Sequence, residues 1–152
     1  MRVPAADGWP FAFAERVRFG DLDAMRHLNN VEFLRFFETA RIAFMRDTFP
    51  EHNPSHPSAD FGLIFAEAKI AYRAPGQFDD LLRTSIRPTA LARSSFRLEF
   101  AMHVIDGLSE LPPGGRLIAE GYGVLVGYDY TASKAARLPA NVIAALTPPP
   151  AS

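Results

Sequence analysis

Apolar and polar positions alternate through FAFAERVRF, residues 11–19. Phe11, Phe13, Val17 and Phe19 fall on one side, and Arg16 and Arg18 on the other. A period of two with one apolar face predicts a half-buried strand. From Asn30 to Asp47 the period lengthens to that of a helix, about 27 Å long at 1.5 Å per residue. Phe33, Leu34, Phe36, Phe37, Ala40 and Phe44 share one broad arc of it, with Glu32, Arg35, Thr39 and Arg46 opposite. Asn29 is placed to cap this helix, with Glu32 three residues on as in a capping box.

Residues 50–60, PEHNPSHPSAD, are punctuated by proline and serine and predict a loop. Beyond them the period returns to two. In 66–73 Ala66, Ala68, Ile70 and Tyr72 oppose Glu67, Lys69, Ala71 and Arg73. In 81–87 Leu82, Thr84 and Ile86 oppose Arg83, Ser85 and Arg87. The stretch 95–105 carries the stripe Phe96, Leu98, Phe100, Met102 and Val104, and 116–128 carries Ile118, Tyr122, Val124, Val126 and Tyr128. APGQFDD, ALARSS and Pro112–Gly115 predict the turns between them. Pro139–Leu146 predicts a short helix, and residues from about 147 to 152 a flexible tail. Strand, long helix, then four strands with short connections imply an α+β domain, an antiparallel five-stranded sheet with one long helix across it, spanning residues 1–152. One helix covers only part of such a sheet, so the remaining stripes favour a second copy of the chain.

Composition narrows the function classes. A chain of 152 residues fits one domain and buries roughly 70% of its unfolded surface, enough to fold without metal or disulfide. Sixteen basic against seventeen acidic residues give a net charge of −1, which argues against a general nucleic-acid binder. No apolar run reaches 18 residues, so no membrane span is expected. MRVPAADGWP lacks the apolar core of a signal peptide, and the cytoplasm is the default expectation. The absence of cysteine excludes disulfides, thiol catalysis and thiolate metal sites. His52, His56 and Asp60 sit in the proline-punctuated loop without ordered ligand spacing, so no metal site is expected there.

Candidate chemistry concentrates in GDLDAMRHLNNVEFLRFFETAR, residues 20–41, where two aspartates, a histidine and two asparagines precede the long helix. Asp21 is placed to end a strand and make turns. Asp23 lies six residues before the N-cap, too far to cap the helix itself. An aspartate is ionised at neutral pH and can act as a base toward water or as a nucleophile toward an activated carbonyl. His27, four residues on, can brace the loop or the aspartate. Asn29 is the cap, and Asn30 keeps its N–H for another partner. The first helical turn has N–H groups without internal acceptors, a ready oxyanion site. Together these groups suit acyl transfer or hydration without a metal. Glu38 and Arg41, an i,i+3 pair, are expected to pack the helix as an ion pair. Gly121, Gly123 and Gly127 share a strand face with Leu125, which permits bulges or close approach of the helix or an acyl chain.

The segment D-L-D-A-M-R-H-L-N-N-V-E-F followed by F-E-T-A-R resembles the D-x-D-x-x-G-H-x-N-N-x-x-Y…E-x-A-R signature of acyl-CoA thioesterases related to 4-hydroxybenzoyl-CoA thioesterase, of the hot-dog superfamily. The resemblance implies a curled antiparallel sheet around a central helix, and an active site at the interface of a homodimer or homotetramer. It makes Asp23 the catalytic carboxylate, with His27 beside it and the Asn30 N–H polarising the thioester carbonyl. Asn29 and Phe33 would line the substrate, and Arg93, Ser94 and Ser95 would contact coenzyme A phosphates. Coenzyme A is then part of the substrate, and no separate cofactor is implied. Arg26 stands where the signature has glycine, and Phe33 where it has tyrosine. A hydratase or dehydratase on the same fold, and a non-catalytic acyl-CoA binding module, are the competing readings. The former resemble a motif with asparagine between aspartate and histidine, whereas both asparagines here follow His27.

Overall fold

The computed structural model describes residues 1–50, 62–107 and 115–148. The expectations for the 50–60 loop, its two histidines and Asp60, most of the Pro112–Gly115 turn and the end of the tail therefore lie largely outside the described residues. Strand β1 is Phe11–Arg16, followed by a 3-10 turn at Phe19–Asp21 and the long helix α1, Asn30–Thr48. Strands β2 (Gly62–Tyr72), β3 (Leu81–Thr89), β4 (Ser95–Ile105) and β5 (Arg116–Asp129) follow, then a two-residue strand β6 (Lys134–Ala135) and helix α2, Ala140–Leu146. The sheet runs β1-β3-β4-β5-β2 with every pairing antiparallel, and β6 adds to the end of β5.

One face of this sheet packs on α1, the hot-dog arrangement. Phe33, Phe36, Phe37, Ala40, Phe44 and Met45 of the helix join Phe11, Leu82, Ile86, Phe96, Leu98 and Phe100 of the strands in one buried cluster. Phe37 stacks on Phe100 with ring centroids 4.4 Å apart. Leu34, at the margin of the predicted arc, is left exposed.

Three expectations are corrected. First, the short 73–80 connection does not join neighbours. It crosses the end of the sheet from β2 at one edge to β3, three strands away. About eight extended residues easily span roughly 14 Å of strand spacing. Backbone bonds from Arg73 and Ala74 to Ile118, from Leu28 to Gly76 and between Asp79, Asp80 and Val17 hold the crossing in place.

Second, β1 and β3 are buried on both faces rather than one. The N-terminal residues pair with β1 (Val3 N–H to Ala12 O, 3.1 Å; Ala14 N–H to Met1 O, 2.7 Å) and cover Ala12, Ala14, Leu81 and Ile105. Third, Phe19 lies beyond β1 in the 3-10 turn, is 80% exposed, and meets the exposed Phe78 edge-on. On β5 the stripe Tyr122–Tyr128 points away from α1, as the close approach expected at the glycine face allows. The Leu125 face is turned inward, and there a Cβ on Gly123 would stand 2.4 Å from the Phe65 ring and 2.9 Å from that of Phe37. Large rings from β2 and α1 fill the space that β5 leaves empty.

Strand β2 is the free edge. It is eleven residues long, mostly exposed, and irregular between Phe65 and Glu67. None of the helices among the described residues is long and apolar enough to cross a membrane.

Candidate active site

The polar stretch folds as a tight loop whose arms are joined by a Leu22–Leu28 bridge. Asp23 closes it: its N–H donates to His27 O (2.9 Å), and its carbonyl accepts from Arg26 N–H (3.0 Å). Its Oδ1 accepts from the backbone N–H groups of Met25 (2.9 Å) and His27 (3.2 Å). The carboxylate is half-buried and fixed through one oxygen, leaving Oδ2 without a hydrogen-bond partner among the described residues. Arg26 adopts φ 64°, a left-handed conformation suited to glycine, the residue the signature has at this position.

Asp21 is buried and anchors the loop, which fits a turn role. Its Oδ2 accepts from Arg18 N–H (2.8 Å), its carbonyl from Asn29 N–H (2.9 Å), and its Oδ1 from Arg35 Nη2 (2.8 Å). Arg35 also reaches Glu32 (2.6 Å) and Glu15 (3.8 Å). Burial opposes its charge, but Glu32, Asp21 and Glu15 outweigh that and raise its pKa above the ordinary guanidinium value. Arg35→Met should therefore cost about 2 kcal/mol in urea unfolding, because it strands the buried Asp21 carboxylate. An unchanged urea midpoint would show that the network does not hold the loop.

The network also explains a departure from the predicted capping box. Asn29 caps α1 through its side chain, which accepts from Val31 N–H at 3.2 Å. The Asn29 N–H, however, goes to Asp21, while the Glu32 carboxylate binds Arg35. The charge-assisted bond wins over the return bond to the cap backbone.

Asn30 opens the helix, and its N–H meets no acceptor among the described residues. Its carbonyl accepts from the Tyr72 hydroxyl at 3.0 Å, and the Tyr72 ring packs edge-on to the buried Phe33 at 5.1 Å. The structure thus gathers Asp23, His27, Asn29, Asn30 and Phe33 at one end of α1, though the His27 imidazole is exposed and joins the loop through its backbone alone. Periodicity alone does not mark Tyr72, whose position reads in the sequence as one more apolar residue of a strand.

Arg93, Ser94 and Ser95 stand elsewhere. Ser95 faces Val126 across β4 and β5, and the Ser94 carbonyl binds Gly127 N–H. Ile118, at the Asp23 end, is eight residues back along β5, roughly 26 Å away at strand rise. Within one chain these three residues and Asp23 occupy opposite ends of the sheet. Among the described residues no three His, Asp or Glu side chains converge as metal ligands would.

A sequence model described as the Thioesterase-like superfamily matches residues 17–146. A protein of Aquifex aeolicus whose name marks it provisionally as an esterase is 28% identical over 99 residues, covering 64% of this chain and 75% of its own. Among solved structures, a thioesterase-superfamily protein of Jannaschia superposes with a TM-score of 0.81 at 24% identity, over 96% of this chain and 91% of that one. A 1,4-dihydroxy-2-naphthoyl-CoA thioesterase of Synechocystis gives 0.73 at 19%, over 90% and 94%. A gentisyl-coenzyme A thioesterase gives 0.74 at 23%, over 90% and 99%. These likenesses in structure establish the shared fold.

Proposed function

Since the chain belongs to the thioesterase-like superfamily, we propose that it hydrolyses an acyl-CoA to a free carboxylic acid and coenzyme A. The observation that carries this reading is a fixed carboxylate, Asp23, in the loop leading into α1, whose first N–H has no acceptor among the described residues. The thioester carbonyl accepts from Asn30 N–H, where the helix dipole also favours developing negative charge. Asp23 then either removes a proton from the attacking water or attacks the carbonyl itself, giving an acyl-enzyme anhydride that water cleaves. In both routes the carbon–sulfur bond breaks and the coenzyme A thiolate leaves and takes up a proton. His27 orients water at the mouth, and Asn29 and Phe33 border the acyl group. Release of thiol from a panel of acyl-CoA thioesters is the test. No release from any of them would overturn the reading.

The site is completed, on this reading, by a second copy. The exposed edge of β2 offers unpaired backbone groups beside an apolar strip formed by Leu34, Phe65 and Tyr72, surface that monomers seldom leave open. Antiparallel pairing of β2 with its own copy sets the Gly62 end of one chain beside the Tyr72 end of the other. That brings Arg93, Ser94 and Ser95 of the partner subunit to the Asp23 end of the continuous sheet, where they meet coenzyme A phosphates. Light scattering should accordingly give at least twice 16.8 kDa at micromolar concentration, as a homodimer or homotetramer. A stable species of single-chain mass would refute the pairing.

A further inference from the structure

Eleven residues along α1 from Asn30, Arg41 lies on nearly the same angular stripe of the helix. The two positions are about 16 Å apart along the axis. The Arg41 side chain is 10% exposed. Its guanidinium lies 4.4 Å from the Phe65 ring centroid and 5.9 Å from that of Phe37. Its Nε is buried and meets no acceptor among the described residues. Among the described residues its one carboxylate neighbour, Glu38, is itself 65% exposed and stands 3.7 Å from Nη2, beyond hydrogen-bond distance. The expected Glu38–Arg41 ion pair therefore exists but leaves the cation poorly satisfied. Leu34, Arg35, Phe37, Glu38, Arg41 and Phe65 border a groove of about 390 Å³.

A buried cation that is stacked on rings and short of acceptors is costly unless something completes it. Burial accordingly pulls the Arg41 pKa below the ordinary guanidinium value, with Glu38 only partly offsetting this. Helical side chains lean toward the N-terminus, so the guanidinium lies roughly 10 Å from the Asn30 N–H. Leu34, Phe37 and Phe65 supply the apolar part of the groove's wall, with Arg35 and Glu38 at its border.

We propose that Arg41 is a specificity residue for the acyl group, receiving a carboxylate at its far end while the thioester sits at Asn30. The substrate class is then a CoA thioester of a medium-length dicarboxylic acid. This rests on the thioesterase reading and narrows it. The apolar chain crosses Leu34 and Phe37, and the terminal carboxylate makes a charge-assisted, planar contact with the guanidinium.

The test compares octanedioyl-CoA with octanoyl-CoA, which match in length and differ in the terminal carboxylate. Wild-type protein should favour octanedioyl-CoA by tenfold or more in kcat/KM. Arg41→Met keeps the apolar stem against Phe65 and should bring that ratio to one or below. Arg41→Lys keeps the charge, loses the two-pronged contact, and should give an intermediate ratio, which also decides the matter if Arg41→Met does not fold. A wild-type ratio near one, or a ratio indifferent to both substitutions, overturns the proposal. So does weakened self-association in Arg41→Met with selectivity intact, since Arg41 would then serve the interface. Should neither thioester be cleaved, the thioesterase reading itself stands or falls on the wider acyl-CoA panel. Calorimetry with free octanedioate and octanoate then decides the Arg41 site by itself: tighter octanedioate binding that Arg41→Met abolishes upholds it, and equal binding overturns it.

Discussion

Asp23→Asn should lower kcat on the best acyl-CoA by about 10²–10⁴, the usual contribution of a positioned base, and by more if Asp23 is the nucleophile. The substitution isolates charge from structure unusually well. The two backbone donors on Asp23 Oδ1, from Met25 and His27, need only an acceptor oxygen, and an asparagine side chain supplies one. The backbone bonds of Asp23 to His27 and Arg26 do not involve the side chain. The loop should keep its shape, which circular dichroism and an unchanged melting temperature would check. Asp21→Asn should show the opposite signature, a loss of stability with a much smaller effect on kcat, because the Asp21 carboxylate serves Arg18 N–H and Arg35. His27→Ala should fall between them in kcat. An Asp23→Asn protein retaining more than about a tenth of the wild-type kcat would exclude Asp23 as base or nucleophile.

The residues around Asp23 were legible in sequence because local chemistry places them. A cap, a helix start and a five-residue loop each need particular side chains at fixed spacing, and Asn29 and Asn30 sit where those needs put them. Periodicity located each long element to within a few residues for the same reason. What periodicity does not carry is which face wins or which strand pairs with which. The β5 stripe of Tyr122, Val124, Val126 and Tyr128 is as regular as that of β4, yet the face with Leu125 and the glycines is the one turned to α1. Only the bulk of Phe37 and Phe65, contributed from distant segments, decides between them. The crossing from β2 to β3 is likewise set by contacts with Leu28, Val17 and Ile118 rather than by its own length. Arg35 and Arg41 illustrate the limit on charged residues. Both belong to one helix with the same side-chain type, but one gathers three carboxylates and the other is buried against rings.

Gly121→Ala should be among the most destabilising single-methyl additions in this chain. A Cβ at Gly121 would stand 1.8 Å from the Lys69 carbonyl oxygen and 3.1 Å from the Ile70 Cα. Both obstacles are backbone, so no side-chain rotation relieves them. Either β2 shifts away from β5 or the ladder around Gly121 and Ile70 opens. Forced overpacking of this kind costs about 3 kcal/mol, at the upper end of the usual range. For a chain of this size that corresponds to a fall in Tm of roughly 6–12 °C. Gly20→Ala is the matched control: nothing stands within 4 Å of its added Cβ, and its effect should stay within about 0.5 kcal/mol. The damage at Gly121 reaches function through the edge strand. Displacing β2 moves Tyr72, whose hydroxyl holds the Asn30 carbonyl, and disturbs the edge proposed to pair with a second copy. Light scattering on Gly121→Ala should therefore show dissociation at concentrations where Gly20→Ala remains assembled. A Tm within 2 °C of wild type would mean that β2 and β5 can separate locally at little cost, and that the edge strand is not the rigid platform the proposed pairing requires.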